Sequence, residues 1–171
     1  ILIVQYIKND RGIINHQNII NIVNKNTQIC VIPHYTFHSY FYNNNIPEII
    51  DKIDFNIPLH NIKSKICDII KNTKFDKNEV LNALNNDLEK IKELDSYSDI
   101  KMYDFILNNY KKIKLFENHS HPREYFYFIM VEKILKKLNI PIQNIKTHNR
   151  CSDSYYPIHP EVKKILDLDF D

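Results

Sequence analysis

The chain contains one glycine, Gly12, in 171 residues, and that scarcity removes whole classes of chemistry. A Walker A loop, a dinucleotide-binding GxGxxG turn and a GxSxG nucleophile elbow each need glycines where a side chain would clash. Gly12 also lacks the acidic surroundings of a calcium-binding EF-hand loop. A phosphate bound here is therefore to be held by side chains and helix N-termini. Arginine is almost as scarce, with only Arg11, Arg123 and Arg150 among 23 basic residues. Three isolated cysteines, Cys30, Cys67 and Cys151, form no CxxC pair and leave one over, so a reducing compartment is expected. The net charge is only +2 and no run of five or six like charges occurs, so no nucleic-acid partner is expected. No apolar stretch approaches the roughly 18 residues of a membrane span, and the opening run is too short for a signal peptide. These absences together make a soluble, cytoplasmic protein the expectation.

What is abundant is isoleucine and asparagine, 30 and 22 residues. An A/T-rich coding sequence produces that skew without a functional cause, so rare residues carry more of the argument than common ones. The length suits a single domain, residues 1–171, with a sizeable core. The chain opens at Ile1, with no initiator Met, directly in a strand-like run, and a piece of a longer protein is expected.

Ile1-Leu-Ile-Val-Gln-Tyr6 is a nearly continuous apolar run, the pattern of a strand buried on both faces of a parallel sheet. A turn at Lys8–Gly12 leads into an irregular helical pattern from Ile13 to Val23, and Gln28–Ile32 is a second β-rich run. Strand, crossover and strand make a βαβ unit with parallel strands. Asn43-Asn-Asn45 then forms a polar loop ahead of Pro47, which suits a first helical turn. The rest is mostly helical. Ile62–Ile70 is short and amphipathic, and Asp76–Leu94 carries Val80, Leu81, Leu84, Leu88, Ile91 and Leu94 at helical spacing. Asp99 reads as the cap of a helix with Ile100, Tyr103, Ile106, Leu107 and Tyr110 on one face. A last long helix is expected from Pro122 to Leu138, with Phe126, Ile129, Met130, Ile134 and Leu138 inward, and Gln143–Tyr155 reads as a long loop. The expected fold class is α/β, a small parallel sheet from a βαβ unit with a predominantly helical C-terminal half.

Three clusters can carry chemistry. Asp10-Arg11-Gly12 ends the first strand unit, where an arginine can clamp phosphate or carboxylate through two parallel hydrogen bonds; an ordinary ion pair in a βα turn is the alternative. Next, Cys30-Val-Ile-Pro-His-Tyr-Thr-Phe-His-Ser-Tyr-Phe41 stops a β-type run at Pro33 and follows it with His34, Tyr35, His38, Tyr40 and Phe41. A histidine there can act as a general base near neutral pH, or the aromatics are core and the histidines satisfy hydrogen bonds at the sheet edge. The His34/His38 spacing would suit a metal pair on a helix, but Pro33 argues against a helix and no further ligand stands nearby, so no metal is expected. In Asn118-His-Ser-His-Pro-Arg123, Pro122 suits the first helical position, which makes His121 the N-cap and creates an anion site beside His119 and Arg123; the alternative is ordinary capping. Asp87, Glu89, Glu93 and Asp95 alternate with Lys and read as a solvated helix face.

Taken in order, the pieces resemble a family. Val4-Gln5 with Arg11-Gly12, Ile32-Pro33-x-Tyr35-x-Phe37-His38-x-Tyr40-Phe41, Asp99-Ile100 through Asp104-Phe-Ile106 to Asn109-Tyr110, Leu115-Phe116, His121-Pro122 and Ile158-His-Pro160-x-Val162 are similar to the WcbI-type polysaccharide biosynthesis acetyltransferase family. Two departures stand out. The family's earlier strand followed by Gly-Asn-Cys-Gln has no counterpart here, and Ser120 replaces the Asn that tends to precede the His-Pro pair. The resemblance implies an acyltransferase that moves an acetyl group from acetyl-CoA to a sugar acceptor in capsule or other polysaccharide biosynthesis. That reaction needs a base, for which His38 or His121 is the candidate, cations for the phosphates, for which Arg11, Arg123 or a nearby Lys is suited, and a coenzyme A pocket lined by Gln5, Gly12 and Tyr35. An ester hydrolase of related architecture, or a non-catalytic sugar- or nucleotide-binding module, are the rival readings.

Overall fold

The computed structural model describes residues 1–5, 22–42, 56, 58–142 and 156–170. Strands β1 (Leu2–Gln5) and β2 (Ile29–Ile32) lie parallel, with Leu2 opposite Ile29 and Gln5 opposite Ile32. The architecture is mixed α/β with a small parallel sheet, as expected. The expected Arg11-Gly12 turn, nearly all of the 13–23 helix, the Pro47 helix start and the loop at 143–155 lie outside the described residues. One expectation about β1 fails. Val4 is buried, but Ile3 is 48% exposed, so β1 is not covered on both faces.

The outer edge of β2 is closed by Asp99. Its backbone N–H donates to the Val31 carbonyl and its carboxylate accepts from the Val31 N–H, both at 2.8 Å, and Lys137 reaches the second carboxylate oxygen at 3.1 Å. An edge strand left open invites unwanted pairing, and one residue here supplies both missing partners at Val31. Partial burial pulls the Asp99 carboxyl upward, but the Val31 N–H and then Lys137 outweigh it and hold its pKa below the ordinary value. Asp99 therefore does not cap the next helix, because its carboxylate is committed to the sheet.

Helix α1 (Leu59–Asn72) is followed by α2 (Lys77–Ser96), which Asp76 caps by accepting from Asn78 and Glu79 N–H groups. The inward stripe of α2 is Val80, Leu84, Asp87, Ile91 and Asp95. Glu89 and Glu93 are exposed as expected, but Asp87 and Asp95 are only 3% and 6% exposed, so the solvated face does not include them. Asp95 is the true N-terminal partner of α3 (Tyr103–Asn109): it accepts from Met102 N–H at 3.1 Å and Tyr103 N–H at 2.7 Å. The same carboxylate accepts the Tyr35 hydroxyl at 2.5 Å.

The chain then forms a hairpin of β3 (Phe116–Asn118) and β4 (His121–Pro122), antiparallel, with Asn118 opposite His121. This overturns the helix start at Pro122. Arg123 N–H donates to the Leu115 carbonyl at 2.8 Å, which keeps residues 121–123 extended, and α4 spans Glu124–Lys137 with Arg123 at its N-cap. Pro122 fits a two-residue edge strand because it has no N–H to leave unpaired. The inward face of α4 is as expected, with Phe126, Met130 and Ile134 buried and Leu138 buried just beyond its end. A further helix, α5 (Pro160–Leu166), was not anticipated. His159 caps it by accepting the Glu161 N–H at Nδ1 and reaches the Ile70 carbonyl through Nε2, joining α5 to α1.

Both α4 and α5 end in Schellman turns. Ile140 N–H meets the Leu135 carbonyl and Leu168 N–H the Lys163 carbonyl, with Asn139 and Asp167 at φ 55° between them. Among the described residues no helix is long and apolar enough to cross a membrane. The core is aromatic. Phe37 stacks on Phe116 at 5.3 Å and meets Tyr40 edge-on at 4.6 Å, and Tyr35 meets Phe126 edge-on at 5.5 Å. Such pairs contribute about 0.5–1.5 kcal/mol each beyond area burial.

The Asp95 junction generates a prediction. Tyr35→Phe removes one buried hydrogen bond to a carboxylate and should destabilise by about 1.5–3 kcal/mol. Asp95→Ala leaves two backbone N–H groups without their acceptor and the Tyr35 hydroxyl with only the Ile100 carbonyl at 3.2 Å, and should cost more, about 3 kcal/mol or above. Urea unfolding reads both as a lower midpoint at unchanged slope; midpoints equal to the parent protein would refute the junction.

Candidate functional site

The site is built where the two parallel strands end, the usual location for ligands in open α/β sheets. Gln5, exposed, closes β1, and the chain leaves β2 at Pro33 without regular secondary structure. From there burial alternates: Tyr35, Phe37 and Ser39 point inward while His34 and His38 are exposed. Both alternatives for this cluster are thus realised, residue by residue. The aromatics are core, and the histidines line the surface.

Asp87 fixes the turn that follows. Its Oδ2 accepts the Ser39 N–H at 2.7 Å, at the start of a short 3-10 turn over Ser39–Phe41. Burial pushes the Asp87 carboxyl up from the ordinary carboxylate value, with the Ser39 donors and the facing His38 pulling the other way. Asp87 is a residue that charge patterning concealed. The available signal was its position, three residues after Leu84 and four before Ile91, on the apolar stripe of α2.

The hairpin meets this segment directly. Phe37 N–H donates to the His119 carbonyl at 2.8 Å, and the His38 and His119 rings stack at 5.1 Å with planes 25° apart. Two of the three clusters are therefore brought together. On the same hairpin, His121 Nδ1 lies 2.7 Å from Asn118 Oδ1, which also accepts the Ser120 N–H at 3.0 Å. Ser120 Oγ stands 3.1 Å from His121 Nδ1 and 3.3 Å from Asn118 Oδ1.

Other expected contacts fall differently. Tyr35 is buried with its hydroxyl on Asp95, and burial first, then that hydrogen bond, raise its pKa well above the usual phenol range. Arg123 sits beside the hairpin with Nε paired to Glu117 Oε1 at 2.9 Å, and Glu124 occupies the first turn of α4. The helix start beside which an anion site was expected lies at Glu124 and not at Pro122, with Glu124 in the first turn and Glu117 on Arg123. Arg11 and Gly12 are outside the described residues. Among the described residues no group of three or more His, Cys, Asp or Glu is arranged to hold a metal ion. Lys114, which no sequence pattern marked, is buried with Nζ on the Tyr156 carbonyl and 5.7 Å from the Phe41 ring.

No protein-family model matches the chain, and no curated protein matches it in sequence. A solved structure does match its fold. The fold resembles that of WcbI. The likeness has a TM-score of 0.66 at 13% identity and covers 99% of this chain and 62% of the WcbI chain. WcbI is described as a novel polysaccharide biosynthesis enzyme, here in its native form without a disulfide bond between coenzyme A and one of its cysteines. The chain therefore spans just under two thirds of the length of WcbI, and at this identity the relation is one of structure.

The raised Asp87 carboxyl has a signed consequence for stability. A raised acid holds its proton more tightly folded than unfolded, so its contribution is fully present below the ordinary value of 3.8 and is lost as pH rises through the folded value. Asp87→Asn keeps an acceptor for Ser39 and removes the titration. The stability of the variant relative to the parent should therefore rise as pH increases from about 4 to about 7 in urea unfolding. A difference that stays flat over that range would refute the assignment.

Proposed function

We propose that the chain is the acyl-transfer portion of a polysaccharide or glycan biosynthesis enzyme, moving an acetyl group from acetyl-CoA to a sugar hydroxyl. One observation carries the reading: the histidine-bearing segment after β2 and the histidine-bearing hairpin converge at the carboxyl ends of the parallel strands, in a fold shared with a protein described with coenzyme A. Acetyl-CoA would supply the activated acyl group. The chain's own part is to take the proton from the acceptor hydroxyl, to hold the phosphates and to orient both partners.

His38 and His121 are the base candidates, both exposed on the surface where the strands end. Gln5 closes β1 at the same end, and Arg123 stands beside the hairpin. Arg11 and Gly12, which follow β1 in the sequence, complete the proposed coenzyme contacts. Arginine is suited to the diphosphate and 3′-phosphate because its guanidinium forms paired hydrogen bonds that lysine cannot. A sugar acceptor, rather than a nucleic acid, is consistent with the near-neutral charge.

Calorimetry with acetyl-CoA, coenzyme A and dephospho-CoA on the native protein tests the proposal. Binding of the first two, weakened about tenfold or more without the 3′-phosphate, is the expected result, since charge-assisted contacts carry that selectivity. Binding of none of them would overturn it. In an acetyl-transfer assay, His121→Ala and His38→Ala separate the base from its neighbour: loss of the base should lower kcat by about 10²–10⁴ with coenzyme affinity little changed. Full activity in both variants would remove the base from the scheme.

A further inference from the structure

We infer that Asn118 is the positioning residue for His121: its side-chain carbonyl holds the imidazole as the Nδ1–H tautomer and leaves Nε2 as the bare nitrogen at the hairpin surface. This rests on the proposed role of His121 as a base, and it selects His121 over His38.

The argument starts from the backbone. Asn118 is only 4% exposed, so its amide has a settled orientation and needs partners on both ends. One end lies 3.0 Å from the Ser120 backbone nitrogen. A backbone N–H can only donate, so the atom facing it is the amide oxygen. That same oxygen lies 2.7 Å from His121 Nδ1. An amide oxygen carries no hydrogen, so Nδ1 must bring one. A neutral imidazole has a single N–H, and Nε2 is therefore left with its lone pair.

Ser120 fits the same assignment. Its hydroxyl, 3.3 Å from Asn118 Oδ1, donates to that oxygen, and its lone pair, 3.1 Å from Nδ1, takes a share of the imidazole N–H. A ring free in water favours the other tautomer, with hydrogen on Nε2, so the hairpin imposes a state that solvent would not choose. Among the described residues no side chain holds the His38 ring in this way: the ring stacks on His119 and faces buried Asp87.

The charged groups of the hairpin and of the helix start next to it are Glu117, Arg123 and Glu124, and the first two pair with each other. An amide at position 118 orients the ring without adding charge. A carboxylate there would instead stabilise the imidazolium, making Nε2 more basic and keeping more of the ring protonated at neutral pH.

Long-range ¹H–¹⁵N correlation spectra of the histidine rings test this directly, with the His121 signals identified by their absence in His121→Gln. Above the titration range, the parent protein should show Nδ1 protonated and Nε2 bare. Asn118→Leu should shift His121 toward the Nε2–H form, Ser120→Ala should leave the tautomer in place, and Asn118→Asp should keep Nδ1–H while raising the ring's titration midpoint by about one unit or more. A parent spectrum with hydrogen on Nε2 would overturn the inference whether or not the variants fold, and so would an unmoved midpoint in folded Asn118→Asp. The spectra need no substrate, so a wrong tautomer counts against Asn118 alone, whereas absent coenzyme binding counts against the transfer reading.

Discussion

A single buried carboxyl group, that of Asp95, sets the frame in which the site is assembled. It sits near the C-terminal end of α2 and accepts from the Tyr35 hydroxyl and from the Met102 and Tyr103 N–H groups. A polar group this deep is tolerated only when its lone pairs are used, and here three donors from two other parts of the chain use them. Pinning Tyr35 decides more than one contact. Burial then alternates, with Phe37 inward on Phe116 and His38 outward, and Asp87, two turns earlier on α2, accepts the Ser39 N–H where the run ends. The histidine surface is thus a by-product of two acids on one helix stripe.

The hairpin is the second constraint. Asn118, Ser120 and His121 meet there through their side chains, while the backbone joins the Phe37 N–H to the His119 carbonyl and the Arg123 N–H to the Leu115 carbonyl. These backbone bonds make the relation between the two histidine segments a matter of sheet-like pairing and not of side-chain chance. WcbI shares the fold over nearly this whole chain at 13% identity, so what the two have in common is the arrangement of backbone more than the side chains on it.

What could be read from residues alone follows from how local each decision is. Helices α2 and α4 were legible because Val80, Leu84 and Ile91, and Phe126, Met130 and Ile134, repeat at helical spacing over several turns. The parallel pairing of β1 and β2 was legible from the crossover. Asp87 and Asp95 were not, because periodicity assigns acids to solvent and their partners lie 48 and 60 residues away. His121-Pro122 fits a helix start locally, and only the distant-looking but decisive bond from Arg123 to Leu115 turns it into a strand. The same logic explains the scarce glycine. Left-handed helix ends, normally its territory, are taken here by Asn139 and Asp167, whose short polar side chains tolerate that conformation better than most.

The closure of β2 by Asp99 gives the small sheet a direction. With the Val31 N–H and carbonyl both occupied, β2 offers no continuous row of free donors and acceptors to an incoming strand. Among the described residues, β1 pairs only with β2. Lateral growth of the sheet, whether by another part of the same polypeptide or by another molecule, is therefore one-sided, and it would add a strand next to Gln5 without disturbing the wall of histidines beyond β2.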